Sequence, residues 1–530
     1  MIRKYSIIFF IASLLFSINI EAQLNINSAV VTIENGAVVA AHGSVFAEAD
    51  ILGTGKLIIN GNEIQKVDMN GFSVPNLEIN NPSNAILSGN IKIGSSLLFT
   101  DGKIFADSFN ISLSDVTIVS GMGPSKFIET NGAGQALKEL TADITSNEIP
   151  LGTGTVYRPV FITTTGAYNN GKVGVKLLDT IAYNKPPMIS DYISAHWPIT
   201  QSGITGTVSI AGQYLPSDVT GDEDNLRGYY FNGTDWSSEG ETHIPQRVSA
   251  IITAAEGNLY AMDKFALLKA KVFLQGAYNS STGKMDDKLR TPVNLIPFSD
   301  PYRAVPYNTI FTHVDNQITE IANASVFNDQ ASPDDNIVDW VFLELRDTIL
   351  PGNTVLQTRS ALLQKDGDIV DIDGLSPVTF NNISTSSENY TIVVKHRNHL
   401  GLSTDPSSYS PVLNERKSTA ALVDFTSEAD ANLYGNSSAF TVINGKNLLW
   451  GGNIDMNNIV KFNGPNNDKD YLLSTVLAGD ATSILNGYNA ADISMDKIVK
   501  YAGPNNDKDF LLATILNGIH PKIITKSLPQ

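Results

Sequence analysis

Between Leu24 and Ser120 apolar residues arrive in short pulses broken by Gly and Asn: VVTIENGAVV, GKLIINGN, NLEINNPSNAILSGNIKIGSSLLFTDGKIF and FNISLSDVTIV. Alternation such as Leu77/Ile79, Ile91/Ile93 and Ile111/Leu113 puts apolar side chains on one face of each strand, and the Asn-Gly and Ser-Gly interruptions supply turn residues that accept positive φ. No helical period fits. The segment 23–120 reads as the rungs of a parallel β-solenoid, each turn burying its inward residues against the next. An irregular β-sandwich is the alternative, because no strict period can be counted.

The pattern stays β over 121–264, with longer strands (TVYRPVFITTT, GKVGVKLLDTI, TGTVSIAGQYL, GYYFNGTDW), and over 265–427 (KAKVFLQGAY, IVDWVFLELRD, RSALLQKDGDIVDIDG, NYTIVVKHRN). Both read as β-sandwich-like modules, the second immunoglobulin-like. Trp197, Trp236 and Trp340 are expected core aromatics. Trp236 with Tyr229 and Tyr230 also allows a carbohydrate platform, which requires the three to be exposed together. Asp366, Asp368, Asp371 and Asp373 allow either a tight hairpin or a crowded cation site. His396 and His399, three apart on a strand, are expected on opposite faces and therefore not as co-ligands.

Near the end the chain repeats itself: NGPNNDKDYLL and then AGPNNDKDFLL. Aligning the copies sets Asn453 on Asp492, Asp455 on Ser494 and Asn457 on Asp496, with Asp468 and Asp470 on Asp507 and Asp509. Each unit opens with oxygen-bearing side chains at alternate positions, the first three donors of a loop that wraps a hard cation such as Ca²⁺. Val460 and Val499, at the eighth position, are expected to pin each loop to a core. A Gly-Pro turn then delays the last acid to the start of an apolar stretch, YLLSTVLAG or FLLATILNG, with helical composition and Gly near its end. Position six, where a left-handed residue is wanted, holds Asn458 and Lys497; the first tolerates that conformation and the second does so poorly. The metal set is Asn453, Asp455, Asn457, Asp468 and Asp470 in one unit, and Asp492, Ser494, Asp496, Asp507 and Asp509 in the other. Two Ca²⁺ sites follow, the second the tighter because it carries more carboxylates. The segment 440–518 is thus a small α-helical, dockerin-like module built from half an EF-hand used twice.

That repeat pair, with KVFLQGAYNSSTGKMDDKLR, VDWVFLELRD, RSALLQKDGDIVDIDGLSPV and VVKHRNHLG before it, resembles exported multi-module surface proteins of Bacteroidota labelled hemagglutinin-like. The resemblance covers roughly Phe265 to Leu516. It implies export to or beyond the outer membrane, by a type IX route among others, and adhesin-like or matrix roles.

Composition narrows the functional classes. The chain has 530 residues, no cysteine and a formal net charge of −18. Disulfides, thiolate metal sites and cysteine nucleophiles are therefore excluded, and so excessive a negative charge argues against nucleic-acid partners. Arg3 and Lys4, the apolar run Ile7–Ile20 and Ala22 form an expected secretory signal over 1–22, cleaved after Ala22; the run falls short of the roughly 20 residues that span a bilayer. No later stretch is a transmembrane helix candidate. No G-x-S-x-G, H-E-x-x-H or P-loop is present. The expectation is a secreted or surface-held, non-enzymatic protein that meets a glycan or protein partner. The alternatives are a polysaccharide-active enzyme or a carbohydrate-binding accessory protein.

Overall fold

The computed structural model describes residues 23–529 other than 28, 239–245, 316–317, 350–352 and 384–388. The expected leader, 1–22, lies outside the described residues. The chain divides into two compact units, one of Met1–Thr180, Ala195–Asp218 and Gln246–Tyr260, the other of Ile181–Ser194, Val219–Pro245 and Ala261–Gln530. Among the described residues no helix is long and apolar enough to cross a membrane.

The first unit begins as a parallel β-solenoid. Short strands alternate between two parallel sheets, and each pairs with the strand one coil on: Leu24 with Val45, Val45 with Val67, Gln65 with Ala85, Ala85 with Ile104 and Ile104 with Ile128. In the facing sheet Leu57, Leu77 and Leu97 lie in register, as do Ile59, Ile79 and Phe99, and all six are buried. Like residues stacked on like residues give each coil an apolar interior that only its neighbours can cover, which is why the coils do not fold singly. Stacking continues past 120: Ile111 pairs in parallel with Ala136. The strand Ala136–Leu140 then receives the long strand Val160–Val175 antiparallel, and that strand pairs with Trp197–Gln213. Trp197 is fully buried, as expected of a core aromatic.

The second unit is centred on an eight-stranded sheet in the order Val378–Asn381, Phe265–Lys271, Asp368–Val370, Val355–Gln364, Ile337–Arg346, Thr391–His396, His399–Ser403, with Leu422–Asp424 parallel to Phe265–Lys271. Every residue of Ile337–Arg346 is buried, so this strand is covered on both faces. An irregular segment supplies cover: the ring of Tyr302 lies 5.5 Å from that of Phe342, Phe311 lies 5.4 Å from Phe342, and the Tyr302 hydroxyl donates to the Trp340 carbonyl at 2.9 Å. Loops thus do work that a second sheet does in an immunoglobulin-like module.

The duplicated tail belongs to this unit. Its helices are short: α-helical turns Asp468–Tyr471 and Asp507–Phe510, each continued by a wider π-turn, Leu472–Val476 and Leu511–Ile515. Val460 and Val499 are fully buried, as the loop pattern requires, in a cluster with Ile454, Leu472, Ile493, Leu511 and Leu516. That cluster also includes Leu400, from the strand His399–Ser403. The tail therefore shares its core with the sheet.

Candidate metal centre

In the first unit of the repeat the Asn453 side-chain oxygen accepts the Asn458 N–H at 3.0 Å, Asp455 accepts the Asn457 N–H at 3.2 Å, and the Asn457 oxygen accepts the Ile459 N–H at 2.8 Å. These contacts curl the chain around its own oxygens. Curling requires left-handed residues, and Met456 and Asn458 both have positive φ, as do Met495 and Lys497 in the second unit. Lys497 at φ 79° is costly for a residue with a Cβ. Its Nζ donates to the carbonyls of Thr291 and Val293, at 2.5 and 2.7 Å, which helps to hold it there. In the second unit Asp492 accepts the Asp496 N–H at 3.0 Å and the Lys497 N–H at 2.8 Å, Ser494 approaches the same carboxylate at 3.5 Å, and Asp496 accepts the Ile498 N–H at 3.0 Å.

The delayed acids separate into two kinds. Asp468 turns back over its loop, accepting the Ile454 N–H at 3.2 Å and the Lys461 N–H at 2.9 Å; Asp507 does the same with Ile493 at 2.8 Å and Lys500 at 3.0 Å. Asp470 and Asp509 are not brought to the loops by any hydrogen bond. Each accepts from the helix-capping residue, Asn467 or Asn506, at 2.7 Å, pairs with the neighbouring Lys469 or Lys508 at 3.1 Å, and is mostly exposed. They close a reciprocal cap in which the Asn oxygen accepts the Asp N–H. The acids that return to the loops are therefore Asp468, beside Asn453, Asp455 and the exposed Asn457, and Asp507, beside Asp492, Ser494 and Asp496.

Asp468, Asp492 and Asp507 are essentially inaccessible to solvent. Burial, with the nearby Asp455 carboxylate, pushes Asp468 up to about 8; burial, with Asp492 and Asp496, pushes Asp507 up to about 8. Asp492 is pushed by burial up to about 6, with the Arg397 charge opposing the rise. Among the described residues no lysine or arginine lies within ion-pair distance of Asp455, Asp468, Asp492, Asp496 or Asp507. Carboxylates gathered out of water without a cation demand either protons or a metal ion. An all-oxygen donor set of this kind fits a hard divalent cation, and Ca²⁺ fits it better than Zn²⁺, which favours nitrogen and sulfur.

One hairpin ties both loops to the sheet. His396 and His399 are cross-strand partners around a two-residue turn, Arg397–Asn398, with their Nδ1 atoms 3.0 Å apart. The expectation of opposite faces fails because the turn folds the strand back on itself. The Asn398 carbonyl accepts the N–H groups of Gly452 and Asn453 at 3.0 and 3.1 Å, and its Nδ2 donates to the Asp492 carbonyl at 2.8 Å. Asn398 thus holds the first residue of each loop. Arg397 donates to the Asn489 carbonyl, stacks 4.4 Å from the Tyr488 ring centroid and donates through Nε to Asp339 at 3.0 Å. Asp339 accepts further from His396, Tyr488 and Trp340, and its carboxyl is held down to about 2 against the cost of burial, chiefly by the Arg397 charge. The two histidines are structural.

Other candidates resolve as scaffolding. Asp371 is buried against Arg359 at 2.7 Å, Asp366 and Asp368 pair with Lys271 at 3.1 and 3.0 Å, and Asp373 caps a turn, so the four acids build a hairpin. Trp236, Tyr229 and Tyr230 are all buried, which removes the exposed carbohydrate platform. Asp300, His313 and Glu320, which no local motif links, form a further cluster whose ligand atoms lie within 4.8 Å of one another. Arg303 stands 3.3 Å from Asp300, and Arg359 stands 3.1 Å from Glu320. Two guanidinium groups already compensate the two carboxylates, so this is an ion-pair network rather than a metal cage. Comparison with protein-family models, curated proteins and solved structures returned no match for the chain.

Proposed function

We propose that the chain is an exported, non-enzymatic cell-surface or matrix protein of adhesin type, whose dockerin-like tail is stiffened by two calcium ions. The observation that carries this reading is the pair Asp468 and Asp507: buried carboxylates that face other carboxylates and have no cationic partner among the described residues. A calcium ion at each loop compensates that charge, and the second loop, with Asp492, Asp496 and Asp507 against Asp455 and Asp468, is the tighter. Because the loops share a core with the sheet through Leu400 and are gripped by Asn398, ion binding stiffens the sheet end as well as the tail.

Equilibrium dialysis of the full chain against Ca²⁺ tests the metal: two ions per chain are expected, falling to one in Asp507→Asn and in Asp468→Asn. Retention of two ions by both variants excludes these loops. Cell fractionation tests the location, which is expected outside the cytoplasm; recovery of the full-length precursor in the cytoplasm contradicts export.

A further inference from the structure

A cleft of about 580 Å³ in the second unit, well separated in composition from the calcium loops, carries polar groups that the fold does not use. Its volume lies within the roughly 300–1,000 Å³ of small-molecule sites. The aromatic rings of Trp236 and Phe231, 5.0 Å apart, line it, and Tyr183 stands at its rim, almost fully exposed. Its walls are pinned: the Trp236 indole donates to the Asn184 carbonyl at 3.2 Å, and the Ser418 N–H donates to Asp235 at 2.8 Å.

Three polar side chains lining this cleft have no hydrogen-bond partner among the described residues. Glu415 is only 9% exposed and makes no ion pair or side-chain hydrogen bond there, so its carboxylate is met by solvent alone, unlike the fully enclosed groups that follow. Thr379, 1% exposed, leaves its hydroxyl unpartnered, and Asn184 leaves both the oxygen and the nitrogen of its carboxamide unpartnered. Buried polar groups are nearly always satisfied, and each exception costs free energy that a ligand can recover. A lone acceptor, a hydroxyl and a full carboxamide together want a partner that both donates and accepts at several points, and the aromatic lining wants an apolar face. An acyl chain satisfies none of the polar groups. A phosphate would find Lys417, but it meets the carboxylates of Glu415 and Asp373, and the Lys185 ammonium is already committed to the Pro186 and Ile189 carbonyls. An ammonium answers Glu415 and leaves Asn184 and Thr379 unmet.

We propose that this cleft binds a short saccharide, its hydroxyls meeting Glu415, Asn184 and Thr379 and its carbon face lying against Phe231 and Tyr183, with the buried Trp236 ring backing Phe231. This deepens the surface-adhesin reading, on which its biological use rests, by naming a ligand class and a place for it. The cleft replaces the exposed aromatic platform as the glycan-facing feature of the chain.

The full-length protein is applied to a printed array of defined galactosides, N-acetylglucosaminides, mannosides and sialosides, and the best-retained glycan is then titrated as the free oligosaccharide. Glu415→Gln and Thr379→Val are each expected to weaken binding by about tenfold or more while the melting temperature holds, in line with the loss of a hydrogen bond to a buried group. Binding is expected to persist in chelator. Two variants guard against one failing to fold. No retained glycan, or wild-type affinity in both folded variants, overturns the proposal. Binding that chelator abolishes and the cleft variants leave intact places the glycan on the tail and also overturns it. A melting curve indifferent to chelator, with glycan binding intact, instead refutes the calcium reading alone.

Discussion

Replacing Asp339 by Asn removes the charge at the centre of the hairpin lock while preserving shape. Asp339 lies fully buried and accepts from His396 and Arg397 at 3.0 Å, from Tyr488 at 2.7 Å and from the Trp340 N–H at 2.8 Å. Its carboxyl falls from 3.8 to about 2. That shift corresponds to a preference for the ionised form on the order of 2 kcal/mol. The substitution costs more than this, because it strands the Arg397 guanidinium, also fully buried, without its counter-charge; breaking such a pair costs about 3–5 kcal/mol. For a unit of this size the melting temperature should fall on the order of 10 °C. The pH dependence has a definite sign. A depressed carboxyl contributes stability above its unfolded value of 3.8 and loses it as pH falls through about 2, so wild type should weaken over that window more steeply than Asp339→Asn, which keeps only the losses from other depressed carboxyls such as Glu344 and Asp287. Because Asn398 and Arg397 grip the loop starts, hydrogen exchange at Gly452 and Asn453 should also quicken. The assays are thermal unfolding of the full chain from pH 2 to 7 and exchange resolved by peptide. A variant with wild-type stability and wild-type protection at Gly452 refutes the idea that this hairpin holds the tail.

Three further outcomes follow from the geometry. Leu77→Ala, in the middle of the Leu57/Leu77/Leu97 stack, should destabilise the first unit by about 2–5 kcal/mol in urea unfolding, since neighbours held in register cannot collapse into the gap. Asp263, pushed up to about 7 by burial and by Asp191, binds a proton in the folded state that the unfolded chain releases above 3.8. Stability should therefore decline between pH 4 and 7, and Asp263→Asn should flatten that decline in a melting series. Asp470→Ala and Asp509→Ala, which keep the backbone N–H bonded to the capping Asn and lose only an exposed acceptor, should each cost no more than about 0.5 kcal/mol of stability and leave Ca²⁺ affinity unchanged in a titration, whereas Asp468→Asn and Asp507→Asn should weaken it.

Much of the β architecture was legible in local alternation. Leu77 with Ile79, Ile91 with Ile93 and Ile111 with Leu113 do point inward, and the parallel pairing decides between solenoid and irregular sandwich. The period escaped counting because the coils differ in length: between the paired residues Ile104 and Ile128 the chain inserts the extra strand Ile118–Ser120. Solenoid stacking past 120 was hidden for a related reason, since Ala136–Leu140 has one parallel and one antiparallel neighbour and no local pattern distinguishes them. In the tail, alternate oxygens and the repeat itself exposed the loops, but telling the acid that folds back over its loop, Asp468, from the one that bonds to the capping residue, Asp470, needed the turn geometry, because both stand at a helix start. The His396/His399 pair misled because strand periodicity does not survive a two-residue turn. Long-range ion pairs such as Glu320 with Arg359 leave no local trace at all.

The most direct measurement is the melting curve of the full-length protein in excess Ca²⁺ and in chelator, read beside Asp468→Asn/Asp507→Asn. With calcium at about 100 times its dissociation constant, each site should add about 2.7 kcal/mol. The transition of the second unit should then rise by several degrees in the wild type and stay put in the double variant. Superimposable wild-type curves with and without the ion contradict the calcium-stiffened tail.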